Sequence, residues 1–354
     1  MLLITIGIPT YNRAHILNIF FEKLFEIAIA HPGKIEIIIS DNCSSDNTNE
    51  ICKHNIKTLS EFCSIKYSRN KTNIGISKNI TSLIYKSSGE YFILLGDDDY
   101  IEVNNFSKII KILESKNKPS AIIQGIPNNK HKTIKGYSSY LNASKFFYEY
   151  GNCYYGIINS IEAKKALNDN SFRKAIEQTV WPQTAIGFIV IANLKKDIYV
   201  TDFLIGSNLV ESQAINDKTY WVKSLESLIK VSLIVDKKLS TNWTRKAFVN
   251  NLSIGFLKHL NLIVQHSFIK NTSSIDLQNL LKSNFKLTGR LISIALLITD
   301  NFPKTIKPIF ILYYSILKLK NPFVVNNKLK NDKNRYFNEI KNVSVSKKRL
   351  GSEF

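Results

Sequence analysis

Over the first 125 residues the apolar positions follow two rhythms. Runs that are apolar at nearly every position predict short strands at 3–8 ("LITIGI"), 34–40 ("KIEIIIS"), 64–68, 90–95 and 120–126 ("SAIIQGI"). Between them, apolar residues recur three and four apart. Ile16, Leu17, Phe20, Phe21, Leu24 and Ile27 place a helix over 13–30, and similar spacing places helices over 46–58, 76–87 and 104–115. The first strand is expected to stop at Pro9 and the second at Asp41. Alternating strands and helices, with strands apolar throughout, predict an α/β architecture whose parallel sheet is covered on both faces. Ligands of such open sheets bind outside the carboxyl ends of the strands. The polar cluster that follows each strand is therefore expected to lie on one common edge.

After about residue 215 the strand rhythm stops. Segments 219–236, 243–266, 275–283, 285–299 and 304–320 read as helices separated by Asn, Ser, Thr, Lys and Pro, with no internal repeat. The expected organisation is an α/β domain over 1–215, a helical region over 216–325, and a Lys/Asn-rich, poorly ordered tail over 326–354.

Composition narrows the class. The 354 residues are 44% hydrophobic and 21% charged, which is globular. Cys43, Cys52, Cys63 and Cys153 form no CxxC pair and no zinc-ligand spacing, so they read as reduced thiols of a cytoplasmic protein. "LLITIGIP" directly after Met1 has no basic n-region, which argues against a secretory signal. No window reaches the roughly 18–20 uninterrupted apolar residues of a membrane-spanning helix. The net charge of +20 attracts polyanions: nucleic acid, anionic lipid or phosphorylated small molecules. An AT-rich coding bias toward Ile, Lys and Asn accounts equally for part of it.

Four clusters carry chemistry. Pro9, Thr10, Tyr11, Asn12 and Arg13 follow the first strand. Here Thr10 or Asn12 can cap the next helix, its N-terminal N–H groups suit an anion, and Tyr11 offers a flat face to a ring. In "SDNCSSDNT", Asp41 emerges at the strand end, placed to accept from a uracil imide or a ribose hydroxyl, and Asp46 is placed to cap the following helix. In "RNKTNIGISKN", Asn73 and Gly75 suit a tight turn and Lys78 is placed to meet a phosphate. Finally, "EYFILLGDDDYIE" ends an apolar strand in Asp97, Asp98 and Asp99. Three adjacent carboxylates repel one another. A Mg²⁺ or Mn²⁺ ion shared with a diphosphate relieves that repulsion and stabilises charge on a departing phosphate.

In order and spacing over about residues 3–125, "IPTYNR", "SDNCSSDNT", "NIGISKN" and "SGEYFILLGDDDYIE" resemble the family-2 inverting glycosyltransferases of the GT-A fold, most of all those building bacterial surface polysaccharides such as capsule or O-antigen. The resemblance implies a GT-A, Rossmann-like, mostly parallel sheet flanked by helices, with a helical C-terminal region. It also implies a nucleotide-diphosphate-sugar donor, Mn²⁺ or Mg²⁺, and a saccharide or lipid-linked saccharide acceptor. By analogy Pro9, Tyr11 and Asp41 hold the nucleobase, most often uracil, while Thr10, Arg13, Asn73 and Lys78 fall in the donor site. Lys78 stands where the family often has Arg. All three aspartates are expected in the site, with Asp97 and either Asp98 or Asp99 as the ribose- and metal-binding pair. The catalytic base of many relatives lies in an acidic pair at the start of a later helix. The corresponding stretch here, "FRKAIEQTVWPQTAIGF", has Glu177-Gln178, so Glu177 is the candidate and the missing second acid a departure. Trp181 and Tyr154–Tyr155 are equally suited to stack on a sugar or to fill a core.

Two C-terminal segments, "GRLISIALLITD" and "TIKPIFILYYSILKLKNPF", combine apolar positions with Lys and Arg. They suit either an anionic membrane surface on the cytoplasmic side or ordinary packing, within the chain or in an oligomer. Two other readings fit less well. A nucleotidyltransferase would carry a Gly-rich basic phosphate loop near its N-terminus, which "IPTYNRAHIL" lacks. A nucleic-acid-binding protein would concentrate its basic residues on one surface, whereas here they are scattered and thickest in the tail, so no nucleic-acid partner is expected.

Overall fold

The structure is a computed structural model and describes residues 2–124, 132–134, 156–201 and 220–241. Three apolar strands form its centre. These are β1 (Ile4–Thr10), β2 (Ile35–Asp41) and β4 (Tyr91–Leu94), buried at all positions but one, while β3 (Ser64–Arg69) is half exposed at one edge. The sheet continues through β5 (Ala121–Gln124), β6 (Lys132–Ile134), β7 (Gly156–Asn159) and β8 (Ile198–Thr201), in the order β3-β2-β1-β4-β7-β5-β8-β6. Strands β1, β2, β3 and β4 are mutually parallel, and β5 is parallel to β8. β7 lies antiparallel between β4 and β5, and β6 is antiparallel to β8. The fold is thus α/β with a mostly parallel sheet, as expected. The insertion of β7 between the fourth and fifth predicted strands is new.

Helices α1 (Ala14–Ala30), α2 (Thr48–Leu59) and α4 (Val103–Leu113) cover one face. There Leu17, Phe20, Phe21, Leu24 and Phe106 pack on the alternate strand residues Ile4, Ile6, Ile8, Ile35, Ile37, Ile39, Tyr91 and Ile93. Each such side chain, fully buried, contributes roughly 1.5–3 kcal/mol. The other face is taken by α3 (Ile76–Lys86), α5 (Ser160–Asn168) and α7 (Pro182–Leu194), the short α6 (Asn170–Ile176) linking the last two. For α1 and α2 on one face and α3 on the other, that is what right-handed crossovers demand when β1, β2 and β3 step one way across the sheet and β4 returns to the far side of β1.

β1 does not stop at Pro9; it runs on to Thr10, with Pro9 opposite Ser40 and Thr10 opposite Asp41. A proline is tolerated because alternate residues of β1 point to opposite neighbours. Gly7 accepts from Leu95 on the β4 side and Thr10 accepts from Asn42 on the β2 side, so the N–H that Pro9 lacks would face β4. The pairing with β4 has already ended at Gly7–Leu94.

At the amino edge of the sheet Glu36, fully buried, accepts from Thr5 Oγ1 (2.6 Å), Lys66 Nζ (2.7 Å) and Ser88 N (2.6 Å). Burial works to raise its pKa, but these bonds outweigh it and the net shift is downward. This carboxylate ties the loop before β4 to β1 and β2 and stands at the edge away from the candidate site.

Helix α8 (Tyr220–Leu239), expected over 219–236, packs on α6 and α7. Val180 N donates to Ser227 Oγ (3.1 Å), and Lys238 pairs with Asp169. The described residues all fall in one compact unit, Met1–Ser293. The other predicted helices, the basic segments 289–300 and 305–323 and the tail lie outside the described residues, as do Cys153, Tyr154 and Tyr155. Cys43, Cys52 and Cys63 are free thiols. Among the described residues no helix is long and apolar enough to cross a membrane.

Candidate functional site

Between β1 and β4 the direction of chain progression reverses, which opens a crevice outside their carboxyl ends. Thr10 to Arg13 leave one side of it and Gly96 to Asp99 the other. Arg13 joins them: its Nε lies 3.3 Å from Asp97 Oδ1 and its Nη2 3.9 Å from Asp98 Oδ2. The Asp97 side chain is only 6% exposed, against 26% for Arg13 and 23% for Asp98.

Burial pushes the Asp97 carboxyl up to about 6, and the Asp98 charge adds to this; Arg13 and the Thr10 hydroxyl pull the other way. Thr10 Oγ1 and Asp97 Oδ2 are both buried, and among the described residues neither makes a hydrogen bond of normal geometry, so Thr10 acts on the carboxyl by proximity. Asp99, also buried, closes the turn by donating its N–H to Gly96 O (3.2 Å). A Cβ on Gly96 would stand 2.8 Å from Asp98 Oδ1 and 2.9 Å from Asp99 Oδ2. Both carboxylates thus crowd the one small space that glycine leaves open.

Among the described residues no three His, Cys, Asp or Glu side chains are gathered closely enough to enclose a metal ion. The triplet is therefore not a three-carboxylate cage. The turn presents instead two crowded carboxylate oxygens and the partnerless, buried Asp97 Oδ2. Mg²⁺ and Mn²⁺ are hard cations, and Mg²⁺ is held by one or two carboxylates with phosphate and water completing its shell. An all-oxygen set of this kind fits a cation that arrives with a diphosphate.

The loop after β2 lies against the same edge but is turned inward. Asp41 is fully buried. Its Oδ1 accepts from Ser44 N (2.8 Å) and Ser44 Oγ (2.6 Å), and its Oδ2 accepts from Tyr67 OH (3.0 Å) and lies 3.4 Å from Arg69 Nε. All four acceptor positions of the carboxylate are in use. Asp41 as seen here holds the loop rather than reaching out to a base. Nor do Thr10 or Asn12 cap α1. Asn12, left-handed at φ 53°, donates its N–H to Ser44 Oγ, Arg13 N donates to Thr48 Oγ1 and Ala14 N to Asp46 Oδ2, at 2.9, 2.9 and 3.0 Å. The amides expected to receive an anion are already taken. Asp46 does cap, and doubly, since its Oδ1 also accepts from Thr48 N (3.1 Å). Tyr11 is 44% exposed beside this loop, open to a planar ligand.

Behind the edge runs an asparagine network that sequence patterning did not single out. Asn42 Nδ2 donates to Asn73 Oδ1 (2.8 Å), and Asn42 Oδ1 accepts from Asn70 Nδ2 (3.1 Å) and Ile74 N (3.0 Å). Asn79 bonds Ser40 through both ends of its amide, at 2.6 and 2.9 Å. Asn73 thus shapes the turn before α3, aided by Gly75 at φ 83°, and Lys78 in the first turn of α3 is exposed. The density of Asn in "SDN" and "RNKTNIGISKN" was the available signal.

Glu177 does not start a helix; it ends α6. Thr81 Oγ1 on α3 donates to Glu177 Oε1 (2.9 Å), and Ser77 Oγ in the first turn of α3 bonds Thr179 O. The Glu177–Thr179 stretch is thereby fastened to the helix that carries Lys78. Trp181 is 3% exposed, a core residue at the N-cap of α7 rather than an open stacking face. Two residues later, Gln183 is buried, and among the described residues neither its Nε2 nor its Oε1 is hydrogen-bonded.

Residues 5–175 match the family described as Glycosyl transferase family 2. Over 119 residues the chain is 32% identical to abequosyltransferase RfbV of Salmonella typhimurium; the match covers 32% of this chain and 34% of that protein, about a third of the relative's length. Among solved structures, S. aureus TarS 1-349 in complex with UDP-GlcNAc is similar in fold, with a TM-score of 0.50 and 12% identity over 86% of this chain and 91% of that one.

Proposed function

We propose, from the match of residues 5–175 to glycosyl transferase family 2, that the protein transfers a sugar, with inversion, from a nucleotide-diphosphate donor of the UDP-sugar type to a hydroxyl of a saccharide acceptor, in the assembly of a bacterial surface polysaccharide. The observation that carries this reading is the Gly96–Asp99 turn facing Arg13 across the β1/β4 crevice. The abequosyltransferase relative and a fold neighbour holding UDP-GlcNAc support the substrate class.

In this reading Asp98 and Asp99 hold Mg²⁺ or Mn²⁺, which when bound neutralises charge on the departing diphosphate as a Lewis acid. Asp97 is buried beside them, its ionised form favoured by Arg13. The exposed ring of Tyr11 stacks on the nucleobase. Asp41 shapes the base pocket through Ser44 and the Asn42–Asn73 contact. Lys78, exposed in the first turn of α3, meets a phosphate, where the helix N-terminus adds a favourable field. Glu177, fixed by Thr81, accepts the proton of the acceptor hydroxyl as its oxygen attacks opposite the diphosphate. Attachment of the basic C-terminal segments to the cytoplasmic membrane face, close to a lipid-linked acceptor, belongs to the same proposal.

A panel of nucleotide-sugars incubated with protein and Mn²⁺ tests it, by release of nucleoside diphosphate. A UDP-sugar is expected to be turned over, EDTA to stop the release, and Asp98→Asn to slow it at least about a hundredfold. Turnover unaffected by both EDTA and Asp98→Asn would remove the metal from the reaction.

A further inference from the structure

Resting on the reading of the aspartate turn as a cation–diphosphate site, we infer that Arg13 is the resident counter-ion of that site: in the donor-free protein its guanidinium lies against Asp97 and Asp98, supplying positive charge beside the Asp98–Asp99 pair that would hold the metal, and it turns onto the diphosphate when metal and donor arrive together. Four features point the same way. The Asp97 side chain is 6% exposed, so its charge left alone would be costly, and Arg13 is the cation paired with it among the described residues. The guanidinium straddles two carboxylates at 3.3 and 3.9 Å instead of forking onto one. Charge-assisted bonds are shorter, about 2.7–2.9 Å, so this contact neutralises the pair without locking it. Next, the backbone cannot follow a ligand, because the N–H groups of Asn12, Arg13 and Ala14 are bonded in succession to Ser44, Thr48 and Asp46. Exchange is left to rotation of the Arg13 side chain, which is 26% exposed.

The consequence is an order of binding. Metal alone on Asp98 and Asp99 must bind against the positive charge of Arg13 and draw Asp98 away from it, whereas metal with a diphosphate supplies the guanidinium with a new anion. Metal and nucleotide therefore assist each other through this residue, and by linkage equally in both directions. Arg13 acts here as a positioning residue.

The test is Mn²⁺ binding, followed by loss of the free-ion EPR signal at pH 8, with no sugar and no turnover. Without nucleotide, Arg13→Gln is expected to bind Mn²⁺ on the order of tenfold tighter than wild type, since a fixed positive charge beside the site has gone. Addition of UDP is expected to tighten Mn²⁺ binding more in wild type than in the variant. Arg13→Lys, a point charge that cannot straddle both carboxylates, should fall between the two and serves as the readout if the Gln variant loses the native circular dichroism. Variants that bind Mn²⁺ no more tightly than wild type, while UDP still promotes Mn²⁺ binding, overturn the inference and leave the site standing. A wild-type protein that takes up no Mn²⁺ even with UDP sinks the cation–diphosphate reading and this inference together.

Discussion

Thr81 on α3 donates a 2.9 Å hydrogen bond to Glu177, a residue 96 positions further along the chain. The bond joins the helix after β3 to the end of α6, and so places the candidate base relative to the carboxyl edge. Glu177→Gln keeps the shape and the Thr81 contact but cannot take a proton. It should lower kcat by about 10²- to 10⁴-fold with donor KM little changed. Thr81→Val, which removes a bond worth about 1 kcal/mol, should cost about fivefold. Steady-state kinetics on both variants check this; a Glu177→Gln enzyme with wild-type kcat would move the base elsewhere.

Asp97 predicts a pH dependence. Its carboxyl, raised to about 6 chiefly by burial, with Arg13 and Asp98 as the charges against it, takes up a proton as pH falls through that value. At pH 5 roughly a tenth remains ionised. Metal-assisted nucleotide binding should accordingly be full at pH 7.5 and weaken steadily below 6. The stability sign is opposite: the folded state binds this proton more tightly than the unfolded chain, so the contribution of Asp97 is favourable below about 4 and is lost as pH rises through 6. Asp97→Asn should therefore flatten the binding profile. Nucleotide titrations between pH 5 and 8 decide it, and a wild-type profile without a step near 6 would contradict it.

Gly89 predicts a stability loss far from the site. A Cβ there would stand 2.6 Å from Thr5 N and 2.7 Å from Ile4 C, both backbone atoms of the central strand that cannot move aside. Gly89→Ala should destabilise by about 1–3 kcal/mol or more, measurable as a lower urea midpoint at unchanged slope. An unchanged midpoint would mean that β1 and the loop are not so closely opposed.

Gln183 predicts a gain. Its buried amide has no partner at either end among the described residues, and burying such groups costs roughly 1–3 kcal/mol. The near-isosteric Gln183→Met should raise the melting temperature by several degrees. A fall would show that the amide is satisfied in solution, by water or by a bound molecule.

The first half of the fold was legible because parallel strands buried on both faces must be largely apolar, and β1, β2 and β4 are, apart from Thr5, Glu36 and the polar residues at the carboxyl ends of β1 and β2. Their carboxyl ends therefore gathered the predicted clusters at one edge: Arg13 does meet Asp97 there. β6, β7 and β8 are strands of three or four residues that lack the longer apolar runs which marked 90–95 and 120–126, so the antiparallel insertion of β7 went unread. Side-chain direction was hidden as well. Asp41 sits where expected, yet Ser44, Tyr67 and Arg69 turn its carboxylate inward, and Trp181 fills a core that pattern alone does not distinguish from a stacking face.

The central claim is that the aspartate turn holds a divalent cation which in turn holds a nucleotide diphosphate. Calorimetric titration of UDP, with Mn²⁺ and then with EDTA, on wild type and on Asp98→Asn/Asp99→Asn tests it most directly. The account predicts binding with Mn²⁺ that EDTA abolishes and that the double variant weakens by a hundredfold or so. UDP binding of equal strength in all these conditions would contradict it.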